Sequence, residues 1–221
     1  MTAGPDPLNV WDRARGALDV GDGEMVVLLG ASGQGKTDWV RSLVGLGCDF
    51  DRCDAFDRPL TKDRVPDVLS LVPQNDGVFL SENVWTNVQA PPHAPPSNRC
   101  HAANALDLVG LSDRAGEPVG NLGVGGRRRV CLARAIARRR PLLIVDGELD
   151  PTLWSFWSSL ISGMPWLHGV LVATSTAGEV AWRANSVALI DDGVVVGQGP
   201  LASLADSRDP RVKAGMAWVT P

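Results

Sequence analysis

The stretch Gly30-Ala31-Ser32-Gly33-Gln34-Gly35-Lys36-Thr37 constrains this chain more than any other. A short apolar run, Met25-Val26-Val27-Leu28-Leu29, precedes it and reads as a buried strand. Trp39-Val40-Arg41-Ser42-Leu43-Val44 follows, with apolar residues at helical spacing. Strand, glycine-rich turn and helix in that order make a phosphate-binding loop. The glycines let the backbone curl until its N–H groups converge, and the new helix adds its positive end. The candidate nucleotide-binding residues are Gly30, Ser32, Gly33, Gln34, Gly35, Lys36, Thr37 and the adjoining Asp38. Lys36 is placed to reach the outer phosphates and Thr37 to offer a hydroxyl to magnesium.

The bulk properties narrow the rest. A length of 221 residues suits one moderately large domain. The net charge of −4 gives no overall electrostatic bias toward nucleic acid, and no nucleic-acid partner is expected. The helix expected near 127–139 belongs to a basic stretch, 127–140, with seven arginines, but no aromatics interleave. We read it as a solvated, partly paired face. No apolar run approaches the roughly 20 residues that cross a bilayer. Met1 to Pro7 lacks the basic and apolar segments of a signal peptide, so a cytoplasmic protein is expected. Cys48, Cys53, Cys100 and Cys131 form no C-x-x-C pair, and a zinc site is not expected.

Along the chain, residues 1–24 are short and partly polar and end in the turn Gly21-Asp22-Gly23-Glu24. Trp11 is the only aromatic before the loop, placed either to stack on a base or to pack. Gly45-Leu46-Gly47 stops the first helix, and 48–64 reads as surface turns with little regular structure. Val65 to Val72 carries a short helix into a strand that ends at Pro73-Gln74. The proline run 90–96 reads as a stiff connector. A helix capped at Ser97 runs through Val109 to Gly110. Leu142 to Asp146 and Val170 to Thr174 read as buried strands, with a helix between them over Pro151 to Ile161. Val187–Ile190 and Val194–Val196 make a hairpin whose turn is Asp191-Asp192-Gly193. A small helix and a tail close the chain. Alternating strands and helices give an α/β fold with a mostly parallel sheet. In such a sheet Asp146, at a strand's carboxyl end, meets the phosphate loop at one edge and can hold magnesium with Thr37.

These motifs, in this order, resemble the nucleotide-binding subunits of ABC transporters. The phosphate loop resembles that family's Walker A, and Val72-Pro73-Gln74 its Q-loop, with Ser81-Glu82-Asn83-Val84 after it. Arg129-Val130-Cys131-Leu132-Ala133-Arg134-Ala135 resembles the helix after the family signature. Leu142 to Asp146 resembles Walker B, and Leu149-Asp150-Pro151 the D-loop. The resemblance implies a single P-loop NTPase domain over 1–221 with a helical subdomain at about 78–134. It also implies ATP and Mg2+ as cofactors, with Thr37, Gln74 and Asp146 around the metal. The implied partners are a second ATPase subunit, equal or different, and a membrane-spanning permease. The implied location is the inner face of the cell membrane.

Most departures from the family pattern fall on residues of hydrolysis, and one, Asp38, falls on nucleotide binding. The family signature Leu-Ser-Gly-Gly-Gln is replaced by Leu122-Gly123-Val124-Gly125-Gly126, which removes the serine hydroxyl and adds bulk. Gly147 stands where the family's general base follows Walker B, and Glu148 comes one residue later as the candidate base. Ser175 occupies the switch-histidine position; its hydroxyl can bond a γ-phosphate but carries no charge. Asp38 replaces a small hydroxyl residue and would repel bound nucleotide by about 1 kcal/mol at an effective dielectric near 20. Retained ATP binding with slow hydrolysis is therefore expected, with Glu148, Gln74 and Ser175 as the candidate catalytic residues. A non-transport nucleotide sensor of the same fold is the alternative, and a P-loop phosphotransferase is a third reading.

Overall fold

The computed structural model describes residues 6–75, 77–89, 97–148 and 163–217. The expected proline connector, the D-loop, the whole of the helix expected over Pro151–Ile161 and the last four residues lie outside these.

Six strands form the central sheet in the order β10-β9-β3-β8-β7-β6. These are β3 (Glu24–Leu29), β6 (Leu69–Val72), β7 (Leu142–Asp146), β8 (Gly169–Thr174), β9 (Ser186–Asp191) and β10 (Val194–Gly199). All neighbours pair in parallel except β9 and β10, which form the expected hairpin. Its turn has Asp192 at φ 48° and Gly193 at φ 76°, two consecutive left-handed residues of the kind tight hairpins need.

Alternate residues of each strand face opposite sides. Met25, Val27 and Leu29 join one apolar cluster with Leu143, Val145, Val170 and Val172; Val26 and Leu28 join the other with Ile144, Leu171 and Ala173. With both faces covered, a strand reads as a continuous apolar run, which is why β3, β7 and β8 stand out in the sequence.

The first face is covered by α3 (Val84–Val88), α4 (Ser97–Leu108) and α5 (Val124–Ala137), whose buried residues belong to the same cluster. The helix α6 (Gly178–Arg183) and the two C-terminal helices α7 (Leu201–Ala205) and α8 (Pro210–Met216) complete it. The second face is covered by α1 (Lys36–Leu43) and by a separate antiparallel sheet, β2-β1-β4-β5. The short helix α2 (Val65–Val68) leads into β6. No described helix is long and apolar enough to cross a membrane.

That second sheet is where the sequence reading falls short. β1 (Leu8–Asp12) and β2 (Gly16–Val20) form a hairpin inside the expected polar lead-in, and β4 (Arg52–Ala55) with β5 (Arg58–Pro59) occupies the region read as surface turns. Leu8, Val10, Leu18 and Val20 are buried while Asn9, Trp11, Ala17 and Asp19 face outward, a five-residue alternation too short to stand out. α5 also begins earlier than expected, at Val124, after Gly123 in extended conformation.

Candidate functional site

The carboxyl ends of β3, β6, β7 and β8 lie along one edge of the sheet, because these strands run parallel in register. Leu29 ends β3 and the chain turns through Gly33 at φ 86° and Gly35 at φ 84°, a region where a side chain is strained. Gly35 is also the residue before α1. The Lys36 ammonium donates to the carbonyls of Gly30 and Ala31, each at 2.7 Å, and the Gln34 N–H donates to Ala31 at 3.3 Å. The loop thus closes around the lysine head and leads straight into an eight-residue helix. The first N–H groups of a helix have no intrahelical acceptor, so this curl is suited to an anion.

Three oxygen donors meet beside it. The Thr37 hydroxyl lies 3.3 Å from Asp146 Oδ1 and 3.5 Å from Gln74 Oε1. Hydroxyl, carboxylate and amide oxygens are the donor set a magnesium ion takes alongside phosphate and water, so the residues present fit Mg2+. Asp146 is 6% exposed and Lys36 9% exposed. Burial holds the Asp146 carboxyl above its ordinary range, against the Thr37 hydrogen bond and the charges of Arg128 and Lys36. Burial lowers the Lys36 ammonium, partly offset by Asp146. Two buried charges of opposite sign, each desolvated, form a site that gains from a charged ligand and its counter-ion.

The residues expected to serve hydrolysis are arranged differently. Gly147 takes φ 97°, and its N–H donates to Ala173 at 2.8 Å. The next residue, Glu148, is exposed and accepts a hydrogen bond from the Thr176 hydroxyl at 2.8 Å. Among the described residues no hydrogen bond ties Ser175 to Glu148 or to the loop, and Ser175 is exposed. At the signature position, Val124 is 76% exposed at the first turn of α5. Asp38 lies exposed in the first turn of α1. Trp11 stands on the outer face of β1, 47% exposed, and takes no part in the hydrogen bonds that close the loop.

Three features escape a reading by motif. The Arg128 guanidinium donates to the carbonyls of Pro73 and of Asp146, joining α5 to the ends of β6 and β7. Thr176, not Ser175, is the hydroxyl that reaches Glu148. The turn Asp191–Gly193 sits against the phosphate loop through Gln34 and Trp39. The signal for the last was an indole on the first turn of α1, whose N–H needs a buried acceptor.

Comparison with known proteins agrees with this geometry. The family model described as "ABC transporter" matches residues 15–150. The aliphatic sulfonates import ATP-binding protein SsuB 3 of Paraburkholderia xenovorans is 35% identical over 181 residues, 80% of this chain and 69% of that protein. The methionine import ATP-binding protein MetN of Mesorhizobium japonicum is 30% identical over 226 residues, 93% of this chain and 61% of that protein. This chain thus spans roughly two thirds of the length of these relatives. Among solved structures, CbiO1 of Clostridium perfringens, part of the ABC transporter complex CbiONQ, superposes with TM-score 0.75 at 21% identity, covering 96% of this chain and 99% of that one. A bacterial Atm1-family ABC exporter with ATP bound superposes at 0.73 and 20% identity, over 97% of this chain and 41% of that one. At these identities the two structures speak for the α/β fold with its P-loop core. The chain belongs to the ABC transporter family, as one of its ATP-binding domains.

Proposed function

We propose that this chain binds ATP with Mg2+ at residues 30–37 and passes the resulting shape change to a membrane-spanning partner, hydrolysing slowly. The observation that carries the reading is the meeting of Thr37, Gln74 and Asp146 beside a loop closed around Lys36. In this reading the main-chain N–H groups of the loop hold the β-phosphate and Lys36 turns from its carbonyls to the outer phosphates. Thr37, Gln74 and Asp146 would hold the metal, which would supply positive charge to offset that of the phosphates. Glu148, held by Thr176, takes a proton from water as the water oxygen attacks the γ-phosphorus and the bond from the γ-phosphorus to the bridging oxygen breaks, giving ADP and inorganic phosphate. Ser175 contributes a hydroxyl at most, and Trp11 flanks the base only if β1 turns its outer face to nucleotide.

A second ATPase subunit completes the site in this reading. Gly123 and Val124 offer no hydroxyl to a facing γ-phosphate, so the partner is a different chain with an intact signature. Helices within about 78–134 act as the lobe that turns, and the complex sits at the inner face of the membrane. The named relatives are import proteins at 30–35% identity, which supports import as the direction. The exposed Glu148 and the valine at the signature also suit a non-transport ATP sensor. Affinity purification separates the two: recovery of a multi-span membrane subunit supports transport, and its absence from detergent extracts supports the sensor. Equilibrium binding of ATP with magnesium tests the common core, and no affinity would end both.

A further inference from the structure

Beyond the nucleotide site itself, we infer that the hairpin turn Asp191–Gly193 is a positioning element for the phosphate loop, acting through Trp39 and Gln34. Gly193 spends both of its main-chain groups there. Its carbonyl accepts the Trp39 indole N–H at 2.8 Å, and its N–H donates to the Gln34 carbonyl at 3.0 Å. The Asp192 N–H donates to Gln34 Oε1. The turn therefore shares two hydrogen bonds with Gln34 of the loop and one with the Trp39 indole of α1, which is 1% exposed. The approach is close: a Cβ at Gly35 would stand 3.0 Å from Gly193 Cα, and one at Gly30 would stand 2.5 Å from the Ile190 carbonyl oxygen.

The turn is in turn held from outside. The Asp191 carboxylate lies 3.8 Å from the Arg211 guanidinium on α8. On its other side the Trp39 ring packs on Phe50 with centroids 4.8 Å apart, and Arg15 stacks over both rings at 4.0 Å from Phe50 and 6.0 Å from Trp39. The curl at 33–35 requires left-handed glycines, which alone would sample many shapes. The turn supplies the missing restraint from a segment more than 150 residues away in sequence. Preorganising the N–H groups raises affinity for phosphate because less order remains to be imposed on binding.

The inference rests on the ATP-binding reading, and the experiment separates the two. Affinity of the full chain for a fluorescent ATP analogue with magnesium is measured for wild type, Trp39→Phe, Gln34→Ala and the double variant, with Lys36→Ala as the weak-binding reference. Thermal unfolding without nucleotide is recorded in parallel. Trp39→Phe keeps an aromatic ring against Phe50 but removes the donor together with part of the buried indole volume, a packing cost that the thermal unfolding reads separately; Gln34→Ala keeps the backbone and removes the bond from the Asp192 N–H. Each single variant is expected to weaken binding about tenfold, the order of one lost buried hydrogen bond. The double variant is expected to weaken it by less than the product of the two, since both act through one turn. Wild-type affinity in either folded single variant overturns the inference while leaving nucleotide binding intact. Wild-type chain that binds no better than Lys36→Ala overturns both.

Discussion

The two halves of the site have been treated unequally by the sequence. On the binding half, Gly30–Thr37 and Asp146 keep every group that phosphate and metal require, and the structure brings Thr37, Gln74 and Asp146 within hydrogen-bond reach. On the hydrolytic half, Gly147 displaces the acid by one residue, Ser175 stands in the switch position and Val124 bulges from the signature. Binding relies on main-chain groups, which tolerate many side-chain changes. Hydrolysis relies on individual side chains at fixed distances, which do not. In the proposed reading, the loop and its oxygen-donor corner persist where the side chains expected to serve hydrolysis depart from the family pattern.

The sharpest test of that contrast is Glu148→Gln. Loss of a positioned base lowers turnover by about 10²–10⁴; a steady-state ATPase rate left unchanged would mean that Glu148 does no such work and the loosening is complete. Lys36→Ala comes next. Removing the one buried cation of the loop should weaken ATP by about 100-fold, read by equilibrium binding, and an unaltered affinity would break the claim that the binding half is intact. Restoring the signature with the pair Gly123→Ser and Val124→Gly should raise the ATPase rate of the assembled complex by about tenfold, since a γ-phosphate donor returns. No change there would place the defect at Glu148 and Ser175 rather than at the signature.

A smaller effect bears on the metal corner. Burial raises the Asp146 carboxyl, so the folded state keeps its proton to higher pH than the unfolded chain. The stability it lends is full below the ordinary value of 3.8 and is lost as pH rises through the elevated folded value. Asp146→Asn should therefore melt higher than wild type at neutral pH without nucleotide, with the gap closing toward acid, while magnesium-dependent binding disappears. The smallest effect belongs to Asp38→Thr, which should tighten ATP about fivefold, the equivalent of the ~1 kcal/mol repulsion removed.

How far the sequence could be read follows from the kind of interaction involved. β3, β7 and β8 are buried on both faces and announce themselves as apolar runs. The loop is legible because its chemistry needs glycine, lysine and threonine at fixed spacing. The sheet β2-β1-β4-β5 was not, because Arg52–Ala55 carries no apolar alternation and is defined by pairing with β1. Arg128 and Thr176 escaped for a different reason. Their partners are a main-chain carbonyl 55 residues upstream and an acid 28 residues away, contacts that only the tertiary fold creates. Register with the family points to Ser175; the hydroxyl that bonds Glu148 is one position later, because the chain turns after β8 with the Thr176 N–H on the Thr174 hydroxyl.

Arg128 carries one more consequence. Its guanidinium grips the exit of β6 and the exit of β7 at once, from a helix whose own start bears the altered signature. Movement of the exposed first turn of α5 therefore has a direct route, through one guanidinium, to the two peptide groups flanking the metal corner. Geometry at one end of a fourteen-residue rod is thereby felt at Gln74 and Asp146, whichever nucleotide they face.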